Sequence, residues 1–137
     1  MAITFHIQLK NFKLKDPAKI KSWIKKIISS EKRICGDLSF VFMSDEELLK
    51  INKQFLDHDT YTDIITFDYT QEKKINGEIM VSVERVKENS EKLNTEFDEE
   101  LRRVIIHGVL HLCGYKDKSK ADKELMRERE NAALRKF

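Results

Sequence analysis

The stretch HGVLHLCGYKD, residues 107–117, sets two imidazoles four positions apart, a glycine three residues after the second, and an aspartate three residues after that. On a helix, residues four apart share one face, so His107 and His111 can converge on a single ion. Zinc takes such nitrogen donors at about 2.0–2.1 Å. Gly114 can adopt the left-handed backbone that ends a helix, letting the chain reverse and return Asp117 as a third, oxygen ligand. Three protein ligands would leave one coordination position open. The bland alternative is an ordinary helix end, with two partly buried histidines bonded to carbonyls and Asp117 in a loop. Gly108 stands where the helical zinc-protease motif H-E-x-x-H carries its glutamate, which disfavours hydrolysis by that proton path. Cys113, a lone helix cysteine, reads as packing.

The elements that must position these groups can be read from periodicity. Ile3, Phe5, Ile7 and Leu9 alternate with polar residues as in a strand with one buried face, from which His6 points away. Asp16-Pro17 supplies an N-cap and a first helical residue, and Ile20, Trp23, Ile24, Ile27 and Ile28 follow at the spacing of an amphipathic helix. Phe40–Met43 reads as a second strand. Ser44 with Glu47 reads as a capping box opening a helix through about Phe55. Residues 63–69 and 78–83 are β-branched and aromatic runs, with Asn76-Gly77 expected to turn the chain between them. Helices are expected near 83–93, from about 96 to 113, and from a cap at Ser119 and Asp122 to about Leu134. This predicts an α/β (α+β) domain over residues 1–137: a small, mixed, four-stranded sheet with about five helices and a zincin-like metal helix.

Composition narrows the function classes. The first residues lack a charged segment followed by an apolar one, and no apolar run approaches the roughly 18 residues of a membrane span, so a soluble, cytoplasmic protein is expected. Cys35 and Cys113 form no CxxC and imply no disulfide framework. Net charge is +2, yet residues 1–37 hold nine Lys/Arg against three acids, which permits a polyanion partner. Lys10, Lys13, Lys15, Lys19, Lys21, Lys25 and Lys26 are therefore candidates for touching the phosphates of a polyanion, or simply a solvated face. For proton transfer only Glu78 and Asp63, each on a strand that could border the site, stand out.

The motif HGVLHLCGYKDK resembles the H-G-x-L-H-L-x-G-Y-x-H motif of the YbeY family of rRNA-maturation endoribonucleases. The resemblance covers nearly the whole chain. INKQFLDHDTYTDIITFDY is similar to the family's L-N-x-x-[FY]-R-x-x-D-x-x-T-D-V-L-S-F segment, INGEIMVSV to its G-D-I strand, and ELMRERENAAL to its C-terminal M-x-x-x-E helix. Two positions depart from the pattern. The third histidine falls on Asp117, and the arginine of most members falls on Leu56, with His58 a possible stand-in cation.

What the resemblance implies is a metal-dependent endoribonuclease for single-stranded RNA, acting in 3′-end maturation of small-subunit rRNA and in ribosome quality control. It would carry one Zn2+ on His107, His111 and Asp117, with small-subunit ribosomal proteins and a ribosome-associated GTPase as partners. Two alternatives stay open: a ribosome-assembly binding module with a structural metal, and a metallopeptidase.

Overall fold

The alternating strand and helix patterns resolve, in a computed structural model that describes residues 2–56 and 61–137, into four strands and five helices. In chain order these are β1 (Ile3–Ile7), α1 (Pro17–Ser30), β2 (Ile34–Met43), α2 (Asp45–Leu56), β3 (Ile64–Asp68), β4 (Lys74–Ser82), α3 (Val83–Leu93), α4 (Phe97–Leu112) and α5 (Lys120–Arg135). The sheet order is β1-β2-β4-β3, with β1, β2 and β4 parallel and β3 antiparallel on the outer edge of β4. This is the mixed sheet expected from the sequence. Among the described residues no helix is long and apolar enough to cross a membrane.

Strand alternation divides the core between the two faces of the sheet. Ile75, Ile79 and Val81 turn to one face and join the main core with Ile20, Trp23, Ile24, Ile27 and Ile28 of α1 and Leu101, Ile105, Val109 and Leu112 of α4. On the other face Met80 and Phe67 pack against a smaller cluster of Met43, Leu48 and Ile65 under α2. The apolar stripe of α1 is buried as its spacing requires, and Trp23 closes that corner by donating Nε1–H to the Ala133 carbonyl at 2.8 Å.

Three local expectations are corrected. Asp16 sits in the left-handed region, φ 54°, and its side chain makes no capping bond; Pro17 starts the helix without it. Ile7 is 44% exposed, because β1 is an edge strand and only Ile3 and Phe5 of its inner row meet the core. Asn76-Gly77 does not turn the chain but lies inside β4. The turn is at 71–74, where Gln71 and Lys74 exchange backbone bonds at 3.0 Å and Glu72 takes φ 55°. Asn76 instead serves a bulge in β2, its Oδ1 accepting from the Asp37 amide at 2.8 Å, while Gly77 leaves room for Leu112 of α4.

Candidate metal centre and cleft

Helix α4 crosses the β3–β4 end of the sheet, and the crossing is close because Gly108 has no side chain. A Cβ there would stand 3.0 Å from Ile64 Cδ1 and 3.1 Å from Ile79. The residue after the first histidine thus points into the sheet. A glutamate at 108 would be buried among isoleucines, so the proton path of the zinc proteases has no place in this fold.

The flank of α4 next to this contact is polar. Arg103, His107 and His111, four residues apart in succession, line a cleft of about 850 Å3 between α4, α5, the end of α2 and the edge strand β3. Facing them from α5 is Glu130, only 5% exposed. Its Oε1 accepts from Arg103 Nη1 at 3.0 Å, and its Oε2 lies 2.6 Å from His107 Nδ1. Arg103 also donates to Asn131 Oδ1 at 2.8 Å.

Charge fixes the tautomer. Burial works against the Glu130 carboxylate, but the bonds from His107 and Arg103 hold its pKa below the ordinary value, so it is ionised and can only accept. His107 Nδ1 therefore carries the hydrogen. Burial likewise works against the charged imidazole, yet Glu130, Asp117 and Asp63 together hold its pKa above the ordinary one. A carboxylate on Nδ1 orients the ring and leaves Nε2 as the donor atom, the arrangement found behind metal-bound histidines.

The end of α4 then delivers the aspartate. Gly114 takes φ 109°, and the amides of Gly114 and Tyr115 bond back to the carbonyls of His111 and Leu110 at 3.0 and 3.1 Å, a Schellman turn. Arg33 Nη2 donates to the Cys113 carbonyl at 2.8 Å, and Tyr115 Oη donates to Glu31 at 2.6 Å. The reversed chain brings Asp117 Oδ2 to 3.7 Å from His107 Nε2, too long for a hydrogen bond. That separation suits two donors that each lie about 2.0–2.2 Å from one ion. Two imidazoles and a carboxylate are a fitting donor set for zinc. Among the described residues, however, no three His, Cys, Asp or Glu side chains stand close enough together to hold an ion, and His111 is exposed.

The remaining candidates separate. Asp63 lines the cleft, and burial raises its carboxyl above the ordinary range, an effect that the nearby His107 only partly offsets. Glu78 is on the sheet face away from α4, where its Oε1 accepts from Tyr69 Oη at 3.4 Å, so it is not brought to the site. His58 lies outside the described residues. None of Lys10, Lys13, Lys15, Lys19, Lys21, Lys25 and Lys26 lines the cleft, because β1 and α1 occupy the other end of the sheet. Among the described residues the cleft's Lys and Arg side chains are Arg103, Lys123 and Arg127. Leu56 is part of its wall. Cys113 is buried, its thiol pushed up to about 12, and remains a packing residue.

Sequence reasoning missed Glu130 and Arg103. The glutamate is the last residue of the M-x-x-x-E resemblance, which was its only signal; Arg103 had one in standing four residues before His107 on the same helix.

Comparison with known proteins agrees with this geometry. Residues 5–137 match the family described as Endoribonuclease YbeY. The chain belongs to that family. The endoribonuclease YbeY of Christiangramia forsetii is 54% identical over 85% of this chain and 82% of its own length. That of Parabacteroides distasonis is 47% identical over 98% of this chain and 94% of its own. The solution structure of TM1509 from Thermotoga maritima superposes with a TM-score of 0.71 at 30% identity, covering 97% of this chain and 87% of that one. Membership in the YbeY family favours a nuclease over a peptidase.

Proposed function

We infer that the protein is a metal-dependent endoribonuclease that cuts single-stranded RNA, acting in 3′-end maturation of small-subunit rRNA and in ribosome quality control. The observation that carries this reading is the 2.6 Å contact between Glu130 and His107 Nδ1, which turns Nε2 toward Asp117 at the mouth of the cleft. His107, His111 and Asp117 would hold one divalent ion, with zinc the match to their donor atoms. When bound, such an ion supplies Lewis acidity toward a phosphoryl oxygen.

The chain's own groups do the rest. Glu130 and Arg103 keep the His107 ring in one orientation and one tautomer. Asp63, its carboxyl pKa raised by burial, is suited to exchange a proton at its carboxyl oxygen with the attacking water or the leaving ribose oxygen. Among the described residues the α2 end of the wall, at Leu56, offers no cation, and those that line the cleft are on the α4 and α5 side. The reading extends to a cytoplasmic setting, with small-subunit ribosomal proteins and a ribosome-associated GTPase as partners.

The test is metal analysis of the purified protein together with cleavage of an rRNA 3′-precursor by wild type and His107→Ala. Near-stoichiometric zinc, cleavage by wild type and loss of both in the variant are expected. Stoichiometric metal without cleavage, joined to retained binding of small ribosomal subunits, would replace the nuclease by a binding module.

A further inference from the structure

Beside the cleft lies a second, smaller hollow of about 580 Å3, lined by Lys118, Lys120, Lys123, Glu124 and Arg127. Two of these residues, Lys123 and Arg127, also line the cleft that holds His107 and Asp117. The two hollows are thus one continuous surface, running from the α4–α5 turn along the first half of α5 to the site. Its second part carries four cations against one acid.

These cations are available. Among the described residues no ion pair forms with Lys118, Lys120 or Lys123, and Arg127 makes only a 3.7 Å contact with Glu130, with 60% of its side chain exposed. The lysines of α1 differ in place and in part in engagement. Lys19 lies over the Phe137 ring at 4.3 Å and Lys21 over Phe5 at 5.5 Å, both at the far end of the sheet.

The cleft leans slightly the other way. Asp63, Glu100, Asp117 and Glu130 line it against Arg103, Lys123 and Arg127. A cleft rich in carboxylates attracts a cation but repels a phosphate chain, so a polyanion needs positive charge beside it to be drawn in and held.

Resting on the endoribonuclease reading, we propose that the sugar-phosphate backbone of single-stranded RNA enters along Lys118, Lys120, Lys123 and Arg127 and reaches the site from the α5 side, not across α1. Salt-dependent affinity then originates in α5. Removing one lysine–phosphate pair lowers the slope of log affinity against log salt by about 0.7. The repeat of Lys120, Lys123 and Arg127 at three and four positions sets them on one helical face, a row along which successive phosphates can lie.

The test uses the full chain and a fluorescein-labelled single-stranded RNA of about 12 nucleotides, within the usual span of such sites. Affinity is read by anisotropy over a salt series, and cleavage on the same oligonucleotide. Lys120→Glu/Lys123→Glu should weaken binding about tenfold or more at low salt and flatten the salt slope by about 1.4, for two phosphates at about 0.7 each. Lys25→Glu/Lys26→Glu on α1 should stay within about twofold of wild type, the ordinary scatter for surface changes. Equal or larger losses in the α1 variant, or an unchanged slope in the α5 variant, would overturn the assignment. Wild-type cleavage with an insensitive α5 variant overturns the entry path and leaves the nuclease reading standing. Binding through α5 without any cleavage does the opposite. Unchanged melting temperatures in both variants are expected, and the conservative Lys120→Arg/Lys123→Arg should retain wild-type affinity.

Discussion

Two partly buried charge networks flank the sheet, and they are built differently. At the start of α2 and α3, Arg85 Nη2 donates to Asp45 Oδ2 at 2.7 Å, Ser82 Oγ donates to Asp45 Oδ1 at 3.1 Å, and Glu88 bridges Arg85 and Lys92. Glu84 Oε1 also accepts from the Asp45 amide at 2.7 Å, so each carboxylate there has a donor, and the work is done in capping and joining helices. In the cleft, Glu130 and Arg103 pair in the same manner, but Asp63, Glu100 and Asp117 add negative charge, and His107 keeps one nitrogen uncommitted toward Asp117 at 3.7 Å. Partnered charges make a fastener; surplus acceptors around an oriented imidazole would suit a cation.

The contrast is broken most severely at Glu130. Glu130→Ala should cost about 3 kcal/mol in thermal or denaturant unfolding, because it takes the ion-pair partner from a partly buried Arg103 guanidinium that keeps only Asn131. In chelator competition it should also weaken zinc by about 10–100-fold, because the ring loses its anchor. Arg85→Met should destabilise by about 1–3 kcal/mol and leave zinc affinity and RNA cleavage unchanged. Equal loss of metal in both variants would erase the distinction between the networks.

Asp63→Asn sharpens it further. Cleavage should fall about 100-fold or more if this carboxyl moves the proton, while zinc content holds. Stability should move the other way. Burial raises the folded pKa of Asp63 above the ordinary 3.8, so its stabilising share is complete below that value and lost as pH rises through the folded one. At neutral pH the asparagine variant should therefore melt higher than wild type, an advantage that disappears in acid. The smallest effect is expected at Glu78→Gln, on the far face of the sheet, with a change within about 0.5 kcal/mol and unaltered cleavage.

The same contrast explains what could be read in advance. Helix α1 was legible because five apolar residues at helical spacing follow a proline, and His107, His111 and Asp117 stood out as candidate ligands because they are close neighbours in the chain, with a glycine where it must turn. The hairpin was misplaced because Asn76-Gly77 has the composition of a turn. Its actual roles, serving a bulge on β2 and admitting Leu112, depend on strands and helices remote in sequence. Glu130 and Arg103 were hidden for a similar reason. A glutamate and an arginine in charged helices look like solvated surface until α5 is laid against α4. The lysines of α1 differ in the opposite sense: their number is visible in the chain, but their distance from the cleft is not.

The Schellman turn at Gly114 is sealed by residues more than 75 positions upstream, through Arg33 to the Cys113 carbonyl and Glu31 to Tyr115. Amide protons at such a seam exchange with solvent only when both sides part. The Gly114 and Tyr115 amides, which close the turn onto His111 and Leu110, therefore belong to one opening unit with the loop that follows α1. The histidine-bearing end of α4 is as durable as the docking of the first helix, and a slackened loop at residues 31–33 would be felt first as faster deuterium uptake at residues 114 and 115.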